Sequence, residues 1–257
     1  MKKKRVLQTL ITTGSYVDFV EEVFHLAASK YSSYVCFSNV HMLIEAYKDP
    51  MFNEIVSEAD MATPDGVPLR IAMRLLYGIR QDRIAGMDAF PHLLKEAAKR
   101  DKSVYFYGGK QEVLDAIVKR AAVEIPGLKI AGYYSPPFRK LSEEEKQQIR
   151  DTINDSHADL TFVALGCPKQ EKWVASEQDK IKGCLLAVGG AFTVYAGMQV
   201  RAPKWMQKYS LEWLFRLVQE PKRLWKRYFV TNSLFIYLFI KELFLGKRNY
   251  SQITQKA

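Results

Sequence analysis

Short apolar runs alternate with amphipathic, helix-length segments from about residue 100 onward. This alternation is typical of parallel strands joined by crossover helices. Ser142, with Glu145 three residues later, has the spacing of a capping box at the start of one such helix. The pattern predicts strands at residues 104–107, 129–133, 160–165 and 185–188, with helices at 111–124, 142–154 and 170–180.

The first hundred residues extend the same pattern. They predict a further strand at residues 34–37 and helices at 17–30, 41–47 and 91–100. We therefore expect an α/β protein built on a Rossmann-like parallel sheet. The composition changes near residue 200, which predicts a Rossmann-like domain at 1–200 and a helical, basic appendage at 201–257.

The formal net charge of +10 is concentrated in that appendage. Residues 201–257 carry 12 Lys or Arg and 3 Asp or Glu, and they hold three of the four tryptophans. Nucleic-acid binding needs aromatic residues at stacking positions among the basic ones, and none are found outside the appendage, so no nucleic-acid partner is expected. The three cysteines have no paired spacing, which fits a reducing compartment.

Residues 229–240 of the appendage carry no charge. A helix that crosses a bilayer needs about 20 apolar residues, so this run is short for a span. A helix lying in the membrane interface suits the run, and a core helix with a solvated basic end is the alternative. The stretch that follows the basic residues 2–5 is too short and too polar for a signal peptide.

Two glycine pairs, Gly108-Gly109 and Gly189-Gly190, each follow a predicted strand and precede a predicted helix or an apolar run. Glycine lets the backbone approach a ligand closely, and the free N–H groups of a helix start can bind a diphosphate. A nucleotide site is one interpretation. A plain turn is the other, because neither pair forms a complete dinucleotide or P-loop motif.

The stretch from Thr63 to Gly66 has the composition of a turn. If this turn is functional, Asp65 is placed to act as a general base that accepts a proton from an attacking hydroxyl. Arg83 and Asp88 follow in a second polar loop, where a solvated surface arginine is the alternative.

Pro168 and Gln170 fall at a predicted helix start, where an amide and free N–H groups can bind sugar or phosphate, although an ordinary helix start has the same sequence. The four histidines are scattered, and no acidic or histidine motif with metal-ligand spacing occurs. We expect no metal site.

Taken in order, these segments resemble the WecG/TagA/CpsF family of bacterial glycosyltransferases, also called glycosyltransferase family 26. The resemblance covers about residues 34–228. Its motifs are Asn39-Val40-His41, Asp49-Pro50, Ala59-Asp60, Pro64-Asp65-Gly66, Tyr107-Gly108-Gly109, and the segments 83–88, 164–172, 188–192, 201–206 and 211–223.

The resemblance implies an inverting, metal-independent transfer of a sugar from a UDP-sugar to a saccharide on undecaprenyl diphosphate, at the cytoplasmic face of the membrane. The product would enter exopolysaccharide, capsule or wall polymer synthesis. N-acetylmannosaminyl transfer in teichoic acid linkage-unit synthesis is the alternative, and a non-catalytic nucleotide-sugar binding subunit is another. The protein could form a homo-oligomer or act alone, and both alternatives are left open. No cofactor is expected, because the UDP-sugar is the donor substrate.

The resemblance also implies roles for individual residues. Asp65 becomes the candidate base. Asn39, Arg83 and Gln170 would line the sugar and diphosphate pocket. The appendage would close over the diphosphate with Arg216, Arg223 and Arg227.

One motif departs from the family pattern. Members that resemble the teichoic-acid N-acetylmannosamine transferase carry Thr-x-Asn where this chain has Phe37-Ser38-Asn39. The loss of a hydroxyl near the site predicts that the donor need not be UDP-N-acetylmannosamine.

Overall fold

The computed structural model describes residues 1–29, 31–208 and 211–254. Its strands are β1 (Lys2–Val6), β2 (Thr9–Thr13), β3 (Ser33–Ser38), β4 (Met61–Pro64), β5 (Ser103–Gly108), β6 (Lys129–Tyr134), β7 (Leu160–Ala164) and β8 (Cys184–Ala187). Its helices are α1 (Tyr16–Ala28), α2 (Val40–Lys48), α3 (Pro50–Glu58), α4 (Val67–Tyr77), α5 (Gly86–Lys99), α6 (Gln111–Glu124), α7 (Glu143–Asp155), α8 (Lys169–Ser176), α9 (Ala191–Tyr195), α10 (Lys204–Lys208), α11 (Glu212–Gln219) and α12 (Pro221–Thr254).

Six of the strands form one parallel sheet in the order β4-β3-β8-β7-β5-β6, which confirms the predicted α/β class. β1 and β2 form a separate antiparallel hairpin. Because all six strands of the large sheet run the same way, their carboxyl ends meet at one edge. Ligand sites of open α/β sheets lie at this edge, where crossovers leave toward opposite faces.

Helices cover both faces of the sheet, and each face has its own apolar core. α1, α5, α6 and α9 pack on one face, and α2, α3, α4, α7, α8 and α12 pack on the other. Alternate residues of one strand serve opposite cores, as with Phe106 and Tyr107 of β5. Burial on both sides explains why the central strands β3, β5, β7 and β8 are mostly apolar, whereas the edge strand β6 is only partly buried.

The predicted helices exist, with shifted ends. The capping box at Ser142 and Glu145 is confirmed. α5 begins at Gly86, so Pro91 lies inside the helix and not at its start. α8 ends at Ser176, four residues before the predicted end. α1 ends at Ala28, and Lys30, the predicted last residue, lies outside the described residues.

Sequence reasoning missed the N-terminal hairpin, β4, α3 and α4. β4 has four residues and contains Pro64, which lowers its strand propensity. Its position at the sheet edge accommodates the proline, because an edge strand can leave one side of its backbone unpaired. The hairpin begins with four consecutive basic residues, which hide its strand character.

α12 begins at Pro221 and contains the uncharged run 229–240. One face of this run is buried in the core with α2: Phe235, Leu238 and Phe239 are at most 9% exposed. The other face is open, with Ile236 and Tyr237 more than half exposed. One face of the run therefore behaves as a core helix, and the other face is the one available for an interface. Cutting the chain before residue 235 would uncover the core. Within the described chain, we find no helix with the length and hydrophobicity of a bilayer span.

We predict that Leu238→Ala lowers the free energy of unfolding by about 2–5 kcal/mol, because it leaves a cavity in the core. Tyr237→Ala, one residue away on the open face, should change it by less than about 0.5 kcal/mol. Urea unfolding followed by circular dichroism measures both variants. Equal effects would contradict the inward orientation of Leu238.

Candidate active site

The carboxyl edge of the sheet brings together two of the predicted site residues. Asn39 follows β3 and Asp65 follows β4, and the Asp65 N–H donates to the Ser38 carbonyl (2.8 Å). Gly66 precedes α4 with a φ of 124°, a conformation that favours glycine. The stretch from Thr63 to Gly66 was predicted as a turn. It is instead the junction between an edge strand and a helix, so Asp65 occupies a strand end.

A cavity of about 550 Å³ opens beside Asp65, between α4, α11 and α12. Small-molecule sites typically enclose roughly 300–1,000 Å³. The cavity brings the predicted residues Asn39, Asp65, Arg83, Arg216 and Arg227 into one site. Its other polar lining residues are His41, Gln207, Glu212, Tyr228, Thr231 and Asn232, and its apolar ones include Val67, Ile71, Met87, Trp213, Phe235, Ile236 and Phe239.

The surroundings of Asp65 disfavour its charged form. Burial raises the pKa of the Asp65 carboxyl to about 7, and the negative charges of Glu212 and Asp88 act in the same direction. The Arg83 charge and a hydrogen bond to the Gly86 backbone oppose the rise in this pKa. A carboxylate that titrates near neutrality is well suited to general-base catalysis.

Four charged side chains join the sheet edge to the segment that follows residue 200. Glu212 accepts hydrogen bonds from Arg83 (2.5 Å) and from Arg201 Nε (3.1 Å). Asp88 pairs with Arg201 (2.7 Å) and lies 3.8 Å from Arg83. Arg83 was predicted either to line the pocket or to be solvated. It lines the cavity, and its ion pair with Glu212 also holds α11 at the cavity wall. Asp88 does not line the cavity; it acts on the site through this network.

Arg216 and Arg227 place two further cations in the cavity lining. Arg216 Nη2 lies 3.4 Å from the position that a Cβ at Gly190 would occupy, so any side chain at residue 190 would crowd this guanidinium. The Arg216 Nε atom is buried and has no hydrogen-bond partner within the described residues. The side chain of Arg223 lies outside the described part of the structure, so its role stays a prediction.

The two glycine pairs lie at the same sheet edge, one at the end of β5 and one just after β8, but none of the four glycines lines the cavity. Gly108 has a φ of 99°, and a Cβ there would lie 2.6 Å from the Ala164 carbonyl oxygen. Close strand packing thus accounts for Gly108. Phosphate binding by Gly109 and Gly189 stays a prediction. For Gly190, the observation that favours phosphate binding is the nearby Arg216 guanidinium.

Gln170 and Pro168 lie at the start of α8, as predicted, but the Gln170 side chain is buried. Its Oε1 accepts from the Gly166 N–H (3.0 Å), and its Nε2 donates to the Ala187 carbonyl (2.9 Å) and to Glu171 Oε1 (2.8 Å). Both amide hydrogens are used within the protein, and Gln170 does not line the cavity. Gln170 thus ties the loop after β7 to the end of β8, and its predicted contact with the sugar stays a prediction.

Sequence reasoning did not assign a role to His41 or to the polar residues of α12. His41 lines the cavity, and burial together with the Arg227 charge lowers the pKa of its imidazole to about 4, so it is neutral near pH 7. Tyr228, Thr231 and Asn232 line the cavity from one face of α12. Their spacing of three and four residues was the available signal.

Asn39 also has a local structural role, because its side chain caps α2 by accepting from the Met42 N–H (3.1 Å). Among the described residues, no group of three or more His, Cys, Asp or Glu side chains is arranged to hold a metal ion. The charges that the described residues offer to an anion in this cavity are therefore those of arginines.

Comparisons with known proteins bear on the chemistry of this cavity. The family described as "Glycosyl transferase WecG/TagA/CpsF family" matches residues 4–249. Two relatives, from Bacillus subtilis and Bacillus spizizenii, are each described as an N-acetylglucosaminyldiphosphoundecaprenol N-acetyl-beta-D-mannosaminyltransferase. The first is 34% identical over 214 residues, 83% of this chain and 80% of the relative. The second is 32% identical over 230 residues, 88% of this chain and 87% of the relative.

We predict that the Asp65 carboxyl titrates near pH 7, and that two substitutions move its pKa in opposite directions. Glu212→Gln should lower the pKa because it removes a nearby negative charge, and Arg83→Gln should raise it because it removes a positive one. Carbon-detected NMR of labelled aspartate measures both shifts. A shift in the same direction in both variants would contradict this electrostatic account.

Proposed function

Because the chain belongs to the WecG/TagA/CpsF family of glycosyltransferases, we propose that it transfers N-acetylmannosamine from its UDP-activated form to N-acetylglucosaminyl-diphosphoundecaprenol. The sugar and the acceptor are those named for both relatives. UDP as the activating group is our proposal. The relatives favour the teichoic acid linkage-unit alternative over a role in exopolysaccharide or capsule synthesis.

The departure at Phe37 does not weigh against this donor. Phe37 is buried, packs edge-on against Phe19 (ring centroids 5.9 Å apart) and lies against Gly86. It does not line the cavity. A residue at this position therefore contacts the core between β3 and α5, and its side chain carries little information about the donor sugar.

The observation that carries the catalytic proposal is the Asp65 carboxylate in the cavity, with a pKa of about 7 and Arg83 nearby. Asp65 accepts the proton of the acceptor hydroxyl while that oxygen bonds to the anomeric carbon of the donor. The bond from this carbon to the diphosphate breaks, and UDP leaves with the electron pair. Attack from the face opposite the diphosphate inverts the anomeric centre. A binding subunit without turnover would have no need of such a base.

In this scheme, the arginines compensate the negative charge of the diphosphates. Donor and acceptor each carry a diphosphate, and arginine forks match phosphate oxygens in two-point contacts. We assign Arg216, beside Gly190, to the donor diphosphate, and Arg227 on α12 to the acceptor diphosphate. Developing charge on the departing UDP is then stabilised by fixed guanidinium groups. No resident metal ion is part of the proposal.

We predict that purified protein in EDTA forms product from UDP-N-acetylmannosamine and a short-chain lipid diphosphate acceptor. Asp65→Asn should lower kcat by about 10²–10⁴-fold, the usual contribution of a general base. For the parent, kcat/KM should fall as the pH drops through about 7, because a protonated carboxyl cannot accept a proton.

Radiolabelled donor and separation of the lipid product measure these rates. Asp82→Asn provides a matched control, since Asp82 lies outside the cavity lining. If Asp65→Asn is as fast as Asp82→Asn, Asp65 is not the catalytic base. If product forms only with a different UDP-sugar, N-acetylmannosamine is not the sugar transferred.

We also propose that the appendage, residues 201–257, docks the protein peripherally on the cytoplasmic face of the membrane, where the lipid acceptor lies. Trp225 and Phe229 are one helical turn apart on α12 and are 58% and 72% exposed. Lys222 and Lys226 accompany them on the first turns of the helix. Exposed aromatic and basic side chains on one helix favour an anionic lipid surface.

We predict that a Trp225→Ser/Phe229→Ser variant binds vesicles containing anionic lipid at least tenfold more weakly than the parent, since burying one large apolar side chain contributes about 1.5–3 kcal/mol. Phe138→Ser, at an 86% exposed site outside the appendage, is the control. Vesicle sedimentation measures both. Unchanged sedimentation of the double variant would exclude this face of α12 as the contact.

A further inference from the structure

The cavity changes from polar to apolar along a single face of α12. Tyr228, Thr231 and Asn232 line its first part, and Phe235, Ile236 and Phe239 line its last part. These residues recur every three or four positions, so they form one continuous stripe. With a rise of about 1.5 Å per residue, the stripe extends for roughly 17 Å.

α4 supplies the facing apolar wall. Val67, Pro68 and Ile71 line the same cavity, and Val67 and Ile71 are one helical turn apart. Ile71 is half exposed, as is Ile236 on α12, so the two side chains flank the place where the apolar part of the cavity meets solvent. Phe235 and Phe239, stacked with their ring centroids 5.7 Å apart, lie deeper along α12.

The other part of the cavity holds the charged groups. Arg227, one residue before the stripe begins, lines the cavity together with Asp65 and Arg83. A ligand that fits this distribution has an anionic group next to the reacting hydroxyl and a hydrocarbon chain leading away from it. A free sugar nucleotide has no hydrocarbon to place against Ile71 and Ile236.

We infer that the groove between α4 and α12 binds the first isoprene units of a polyprenyl diphosphate-linked acceptor. The inference rests on the proposed function, and it specifies where the lipid part of the acceptor lies. Branched, apolar isoprene units contact Ile71 and Ile236, and the diphosphate lies toward Arg227. The cavity is too small for a long polyprenyl chain, so the remaining units leave it past these two isoleucines. The groove thus makes acceptor recognition depend on the lipid as well as on the sugar.

The test compares two soluble acceptors with the same sugar diphosphate, one ending in a short isoprenoid chain and one in a methyl group, without vesicles or detergent. The parent should show a higher kcat/KM for the isoprenoid acceptor. Ile71→Asn and Ile236→Asn should each reduce this preference about tenfold, equivalent to about 1.4 kcal/mol, through a higher KM for the isoprenoid acceptor. The methyl acceptor, which has no isoprene units to place in the groove, should lose less kcat/KM than the isoprenoid acceptor in both variants.

Matched controls lie one helical turn further along each helix. Leu75→Asn and Ile240→Asn alter residues of similar exposure, 57% and 47%, that do not line the cavity. Both should keep the preference of the parent. If they lose it equally, or if the Ile71 and Ile236 variants slow both acceptors alike, the groove does not bind the lipid.

Photolabelling separates a failure of this inference from a failure of the proposed function, because it needs no turnover. A short polyprenyl diphosphate with a diazirine on its second isoprene unit should label α4 and α12 peptides of the parent, and Ile71→Asn should weaken the labelling. If α4 and α12 are labelled but no donor gives product, the proposed transfer is refuted and the inferred lipid groove is supported. Labelling elsewhere, or none, would refute the groove.

Discussion

The packing of α12 against α2 is the contact on which the site depends. Leu238 and its neighbours bury one face of the helix in the core on one side of the sheet. This contact fixes the preceding turns, which carry Arg227 and Tyr228 into the cavity. α11, which supplies Glu212 and Arg216, lies between this helix and the sheet edge. Without the buried face of α12, the cavity would lose the wall that Tyr228, Thr231 and Asn232 provide.

The charge balance of the cavity meets two opposing requirements. In the proposed reaction, binding diphosphates calls for several cations, but cations close to Asp65 would lower its pKa and weaken it as a base. The structure satisfies both by pairing Arg83 with Glu212, whose negative charge opposes the effect of Arg83 on Asp65. Arg201 and Asp88 complete the arrangement, so that the acidic side chains compensate part of the positive charge nearest the base.

The central strands could be predicted from sequence because burial on both faces makes each one a continuous apolar run. β4 could not, since its short length and Pro64 are acceptable only at the sheet edge, and edge position is a property of the whole sheet. Family motifs led to Asn39, Asp65 and Arg83. They did not distinguish Gln170, because a residue at a helix start has the same local sequence whether its side chain turns toward a ligand or toward the neighbouring strand.

The uncharged run of α12 shows why an interfacial helix and a core helix are hard to tell apart from sequence. A run without charged residues has only a weak amphipathic pattern, so periodicity alone does not assign its faces. The structure assigns them residue by residue: Leu238 faces the core, Ile236 borders the cavity and Tyr237 faces solvent. Core packing, the proposed lipid groove and the proposed membrane contact need apolar surface in different directions, and α12 provides it with Leu238, Ile236 and Phe229. In the proposed function, the same helix joins the membrane surface to the Asp65 carboxylate without a flexible linker.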